Sequence, residues 1–128
     1  MPVGTGPAML MGVLRCLIVD DSVRFLRAAR ALLERDGIAV VGVAVNSADA
    51  LRTVAELRPD VTLVDIDLRG ESGLELSRHL DGRVILISSH AEDDYADLIA
   101  ESPALGFLSK TSLSGDAIRR MLSSPRET

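Results

Sequence analysis

A chain of 128 residues, 47% of them hydrophobic, suits one domain that builds its core without disulfides. Aromatic residues are only 2%, so that core must be made of Val, Leu, Ile and Ala. A formal charge of −5, from 14 Lys and Arg against 19 Asp and Glu, argues against a nucleic-acid or anionic-membrane surface as the main business. It fits a protein that binds a divalent cation, although ordinary soluble domains are often acidic too.

Residues 1–13, rich in glycine and proline, carry no apolar period and read as a flexible tail. Met9 and Met11 are candidate natural starts. The apolar run from Ala8 to Val19 is broken by Arg15 and meets Asp20-Asp21 instead of a small-residue cleavage site, so it does not read as a secretion signal. No stretch is long enough to span a bilayer. A cytoplasmic chain without membrane contact is expected. Cys16, the single cysteine, excludes a disulfide framework and reads as a small buried hydrophobe.

From there strand and helix patterns alternate. Short, β-branched, nearly continuous runs at about 14–19, 38–45, 61–65, 83–88 and 104–109 read as strands covered on both faces. The first helix starts after Ser22, turns Phe25, Leu26, Ala29, Leu32 and Leu33 inward and ends at Gly37. The second follows Asn46-Ser47, is marked by Leu51, Val54 and Ala55, and stops at Pro59. Leu74, Leu76 and Leu80 mark a third, closed by Gly82. The fourth, about 91–101, has Glu92, Asp93 and Asp94 in its first turn, where the helix dipole favours anions, and a weak face of Ala96, Ile99 and Ala100. The fifth runs from Gly115 to Ser123, with Ser114 as cap and Ile118, Met121 and Leu122 inward. The expected fold is α/β: a (βα)5 doubly wound parallel sheet over residues 14–122, with residues 123–128 a tail or the start of a linker.

The chemistry sits where the apolar runs stop. Asp20 and Asp21 follow Cys16-Leu17-Ile18-Val19, Asp65 follows Val61-Thr62-Leu63-Val64, Ser88 ends the fourth run and Lys110 follows the fifth. Carboxylates at the ends of buried strands are costly unless a cation or a reaction uses them. In the flavodoxin-like strand order 2-1-3-4-5, strands one and three are neighbours at the switch point, so the three aspartates converge. A hard divalent cation such as Mg2+ relieves their repulsion, with the backbone carbonyl of Asp67 as a further candidate ligand. Ser88 and Lys110 supply a hydroxyl and an ammonium for a phosphoryl group, and Asp65, the most central carboxylate, is the best candidate nucleophile. Taken singly, each residue has an ordinary explanation. Asp21 or Ser22 can be a helix cap, and Lys110 a solvated charge. Their shared position at one end of successive strands favours a site.

Read together, Leu17-Ile18-Val19-Asp20-Asp21-Ser22, Leu63-Val64-Asp65-Ile66-Asp67-Leu68, Gly73-Leu74-Glu75, Leu86-Ile87-Ser88-Ser89-His90 and Gly106-Phe107-Leu108-Ser109-Lys110 resemble a response regulator receiver domain of two-component signalling. The resemblance implies that Asp65 accepts a phosphoryl group from a sensor histidine kinase. Asp20 and Asp21 would organise Mg2+, Ser88 would bond a phosphoryl oxygen and Lys110 would pair with the phosphate. It also implies a switch, in which Ser88 moves toward the phosphate and an aromatic residue, here Phe107, rotates into the space. The output face would be the fourth helix (Tyr95, Leu98), fifth strand and fifth helix, open to a downstream protein effector, an output domain or a homodimer.

Three departures from that family stand out. Arg69 replaces a common proline, so the loop after Asp65 is expected to be looser and Arg69 solvated, with contact to phosphate or kinase as the alternative. Thr111 replaces another, and since a cis bond there would cost ~3–4 kcal/mol, a trans bond or an unusual loop is expected. Asp67 and His90 flank the site where the family varies, and His79 is expected to be exposed. Competing readings are a receiver-like interaction module that is not phosphorylated, a small Mg2+-dependent aspartyl phosphatase and a flavodoxin-like cofactor module. The last expects a phosphate loop where Asp20-Asp21-Ser22 stand. A single-domain regulator and a fragment of a longer one both fit these residues.

Overall fold

Five apolar strands line up in parallel in the computed structural model, which describes residues 13–89 and 96–123. They are β1 (Arg15–Val19), β2 (Ala39–Ala44), β3 (Val61–Asp65), β4 (Arg83–Ser88) and β5 (Gly106–Ser109), in the order β2-β1-β3-β4-β5. Helices α1 (Val23–Arg35), α2 (Ser47–Leu57), α3 (Gly73–Ser77) and α4 (Ala96–Glu101) lie in the four crossovers, and α5 (Gly115–Ser123) follows the last strand. This is the expected flavodoxin-like doubly wound architecture. No helix among the described residues is long and apolar enough to cross a membrane.

Side-chain alternation along each strand feeds two separate cores. Leu17, Val19, Val64, Val84 and Leu86 face one side and pack with Val54 of α2, Leu76 of α3 and Ile99 of α4. Cys16, Ile18, Leu63, Ile85 and Ile87 face the other and pack with Leu26, Ala29 and Leu33 of α1 and Ile118 of α5. Cys16 is fully buried, and burial pushes its thiol up to about 12, which makes it inert as expected.

The helix caps follow the sequence signals. Ser22 Oγ accepts from Phe25 N–H, Asn46 Oδ1 from Asp49 N–H and Ser114 Oγ from Ala117 N–H. Gly37 takes the left-handed turn that ends α1 (φ 88°).

Three helical expectations are corrected. In α2 the buried face is Ala50, Thr53 and Val54, while Leu51 and Ala55 are exposed. Thr53 tolerates burial because its hydroxyl donates to the Asp49 carbonyl at 2.7 Å. The third helix stops at Ser77 instead of running to Gly82. Its end tightens into three-residue bonds, from Arg78 N–H to Glu75 O and from His79 N–H to Leu76 O. His79 is exposed, as expected, beside Glu75. Within α4 only Ile99 is buried, and Ala96 and Ala100 face solvent. The expectations for residues 1–12, for His90, Glu92, Asp93, Asp94 and Tyr95, and for residues 124–128 fall outside the described residues.

Candidate functional site: an acidic pocket at the carboxyl ends of the strands

The strand order brings the predicted residues together. Asp20 lies one residue beyond β1, Asp65 ends β3 between β1 and β4, Ser88 ends β4, and Lys110 follows β5 at the start of a 3-10 turn, Lys110–Ser112. Carboxylate oxygens of Asp20, Asp21 and Asp65 all lie within 4.8 Å of one another. Asp20 is fully buried, Asp65 and Ser88 nearly so, and Asp21 forms the half-open rim.

Each carboxylate is aimed by a specific partner. Asp20 Oδ1 accepts from Ser22 N–H at 2.8 Å, which ties the pocket to the first turn of α1. Asp65 Oδ1 accepts from Asp67 N–H at 3.0 Å, and Asp65 Oδ2 accepts from Lys110 Nζ at 3.0 Å. Lys110 Nζ also lies 2.6 Å from Asp20 Oδ2. The pair is out of line for a hydrogen bond, so that buried oxygen has a charge beside it and no hydrogen-bond donor. Three carboxylates less one buried ammonium leave two formal negative charges inside the pocket, which is the charge a divalent cation would cancel. The net negative charge and the all-oxygen donor set both fit a hard cation such as Mg2+.

The electrostatics of Asp65 and Lys110 look contradictory and are not. Burial raises the Asp65 carboxyl above the ordinary range, and the Asp20 charge adds to it, against the Asp67 amide and Lys110. Lys110 also loses solvent, which by itself lowers its pKa, but the short contacts to the Asp20 and Asp65 carboxylates and their charges together outweigh this and raise it. Two carboxylates share one ammonium, so the cation is held firmly while Asp65 remains undercompensated.

The loop after Asp65 departs from expectation. It is not loose: Asp67–Leu68 pairs antiparallel with Glu71–Ser72 in a small hairpin, turned by Gly70 at φ 80° and anchored by buried Leu68. Arg69 is 85% exposed, as a solvated arginine would be, yet its backbone N–H donates to Asp21 Oδ2 at 3.0 Å and its Nε lies 3.4 Å from the same oxygen. No cis peptide bond occurs among the described residues, so the bond before Thr111 is trans, as expected. Phe107 is half-buried against the α2–α4 core, and Leu98 is 53% exposed.

Three residues that sequence reasoning did not assign to the site belong to it. Gly73 opens α3 so close to Asp65 that a Cβ there would sit 1.8 Å from the Asp65 carbonyl oxygen. Phe25 lies beneath the Lys110 ammonium, 4.3 Å from ring centroid to Nζ. Arg69 holds Asp21. Gly73 stands at a helix start where glycine has no capping purpose, and that was its only local signal.

Comparison with known proteins gives one consistent answer. Residues 16–122 match the response regulator receiver domain family. The chain is 33% identical over 116 residues to the transcriptional regulatory protein LiaR of Bacillus subtilis, covering 84% of this chain and 55% of LiaR. It is 34% identical over 105 residues to the response regulator GacA of Pseudomonas viridiflava, covering 77% and 49%. The chain thus spans about half the length of these relatives. Among solved structures, a LuxR-family two-component response regulator from Aurantimonas superposes with a TM-score of 0.80 at 30% identity, covering 91% of this chain and 89% of that one. A response regulator from Burkholderia pseudomallei, solved with a phosphorylated aspartic acid, a calcium ion and citrate, gives 0.71 at 26% identity, covering 85% and 66%.

Proposed function

This chain belongs to the response regulator receiver domain family, and on that premise we propose that Asp65 is its phosphoacceptor in a two-component system. The observation that carries the reading is the bridge made by Lys110, whose ammonium touches both Asp20 and Asp65 in a pocket with two uncompensated negative charges. In the reaction an Asp65 carboxylate oxygen attacks the phosphorus of a kinase phosphohistidine. An O–P bond forms, the P–N bond breaks, and the imidazole leaves with the electron pair and takes a proton from water. Bound Mg2+, held by Asp20, Asp21 and Asp65 with the Asp67 carbonyl as a further ligand, would neutralise charge on the transferring group. The resulting acyl phosphate carries oxygens for Lys110 Nζ and the Ser88 hydroxyl to bind.

On this reading the chain is a switch that catalyses only its own phosphorylation and hydrolysis. Ser88 and Phe107 transmit the change to the face of α4, β5 and α5, which a downstream effector, an output domain or a second copy reads. The phosphorylated aspartate and calcium ion of the Burkholderia neighbour support the same assignment. A sensor histidine kinase is the donor and the cytoplasm is the compartment.

Incubation with acetyl phosphate and Mg2+, followed by intact mass measurement, tests this reading. One added phosphoryl group, absent in Asp65→Asn and absent with EDTA, is expected. A chain that stays unlabelled at saturating donor and Mg2+ would be an interaction module, and steady phosphate release from metabolites without a labelled intermediate would make it a phosphatase.

A further inference from the structure

Lys110 is held by more than its two carboxylates. An ammonium has three N–H groups and a flexible four-carbon stem, so two acceptors on one side leave it free to swing toward water. Asp65 Oδ2 takes one donor, and Asp20 Oδ2 sits beside the ammonium without a hydrogen bond. The Phe25 ring closes another side, 4.3 Å from Nζ to its centroid. The Lys110 side chain is 17% exposed.

Phe25 reads in sequence as one member of an inward stripe on the first helix; like Leu32 it is only partly buried, but its ring also meets the Lys110 ammonium. Leu26, Ala29 and Leu33 are buried in the core, whereas Phe25 is only partly buried at its edge, with its ring against the pocket. Its backbone is pinned as well. The Phe25 N–H donates to the Ser22 cap, and the Ser22 N–H donates to Asp20. One short segment therefore fixes a carboxylate and an aromatic face on two sides of the same cation. A leucine would fill similar space but has no negative π face to attract an ammonium.

We propose that Phe25 is a positioning residue that holds the Lys110 ammonium over Asp20 and Asp65 through its ring face. This rests on the phosphoacceptor reading for its consequence: when Asp65 gains a phosphoryl group, Lys110 crosses the ring from Asp20 to a phosphoryl oxygen without entering solvent. Phe25 touches no reacting atom itself and acts through Lys110.

The test uses Phe25→Leu and Phe25→Tyr, each also in a Lys110→Met background, with folding checked by thermal melts. In 13C-edited NMR the Lys110 Cε protons should be shifted upfield by the ring current in the wild type and in Phe25→Tyr, and return to ordinary positions in Phe25→Leu. With acetyl phosphate and Mg2+, Phe25→Leu should lower the maximal labelling rate about three- to tenfold. It should leave the donor concentration at half-maximal rate unchanged, and Phe25→Tyr should restore the rate. In the Lys110→Met background the substitution should cost nothing further, which a general packing defect would not reproduce. Unshifted Lys110 resonances in the wild type, or wild-type labelling by Phe25→Leu, would overturn the inference. A wild type that takes no phosphoryl group defeats the phosphoacceptor reading instead, and the ring-current measurement then decides the role of Phe25 alone.

Discussion

The layer formed by α1 and α5 and the layer formed by α2, α3 and α4 cover opposite faces of one sheet with different devices. In the first, α1 and α5 are cross-tied at their ends: the Gly115 N–H donates to Asp36 Oδ2 at 2.7 Å and Arg119 reaches the Asp36 carbonyl at 2.6 Å. That joint connects helix to helix and touches no site residue. In the second, α3 is a single short turn, and its first residue presses against the backbone of Asp65 itself. The second layer also carries half-buried Phe107 and exposed Leu98. The first layer meets the pocket only at the start of α1, through Ser22 and Phe25, and its far end is a brace, whereas the second presses on the backbone of the reactive carboxylate itself. That difference favours the second layer as the route by which a change at Asp65 reaches the surface.

Gly73→Ala tests that connection most severely. Its Cβ would lie 1.8 Å from the Asp65 carbonyl oxygen, and backbone cannot yield as a side-chain tip can. The expected cost is about 3 kcal/mol of stability, with labelling of Asp65 strongly reduced in the molecules that still fold. Gly70→Ala is the control. It has open space around it and only the strain of φ 80°, so it should cost about 1 kcal/mol and leave labelling nearly intact. Equal effects from the two substitutions in urea melts would dissolve the distinction between the layers.

The brace makes the complementary prediction. Asp36→Ala leaves the first N–H of α5 without its acceptor and should cost about 1–2 kcal/mol. Melting temperature should fall while the labelling rate of the folded protein stays at the wild-type value. A loss of rate matching the loss of stability would show that the far-end joint between α1 and α5 also governs the site.

The pH dependence of stability separates the carboxylate from the ammonium. Burial raises Asp65, so the folded chain holds that proton more tightly than the unfolded chain does. Its contribution is therefore complete below the unfolded value of about 3.9 and is lost as pH rises through the folded one. In EDTA, Asp65→Asn should gain on the wild type between about pH 4 and neutrality. Lys110 acts at the other end, since its stabilisation is present below about pH 10.4 and disappears as pH rises through its raised folded value. An Asp65→Asn advantage that is flat or reversed across the acid range would mean that Asp65 is better compensated than the geometry indicates.

The strands and the residues at their ends were legible because both leave local marks. A β-branched run that stops at a charge locates a strand and a candidate group at once, as Val61-Thr62-Leu63-Val64 does for Asp65. Helix starts were legible through Ser22, Asn46 and Ser114 for the same reason. What could not be read locally was contact at long range. Arg69 meets Asp21 across 48 positions and Lys110 meets Asp65 across 45, and no period or cap encodes such a meeting. Asp20, Asp21, Asp65 and Lys110 could be named because the strand order was inferred first. Phe25, Gly73 and Arg69 could not, since their part depends on a ring orientation, a backbone approach and a hairpin. The face of α2 was misjudged for a related reason: Thr53 satisfies its hydroxyl within its own helix and so passes for an apolar residue.

Arg69 is where the smallest effect is expected, and it refines the contrast by acting at the rim and not in either core. Its guanidinium lies beside Asp21 Oδ2, an oxygen already bonded to the Arg69 amide. A positive charge there competes with a cation entering the pocket, but solvent screens a group 85% exposed. Arg69→Ala keeps the backbone bond and removes only the charge, so Mg2+ should bind about two- to fivefold more tightly, with the gain shrinking as salt is added. Arg69→Lys should fall between the two, because a compact ammonium cannot keep the same side-on approach. The signal is Mg2+ titration followed through the amide resonances of Asp20, Asp21 and Asp67. Weaker binding in Arg69→Ala would reverse the assignment: the guanidinium would then be ordering Asp21 for the metal, and the rim would belong with the pocket it surrounds.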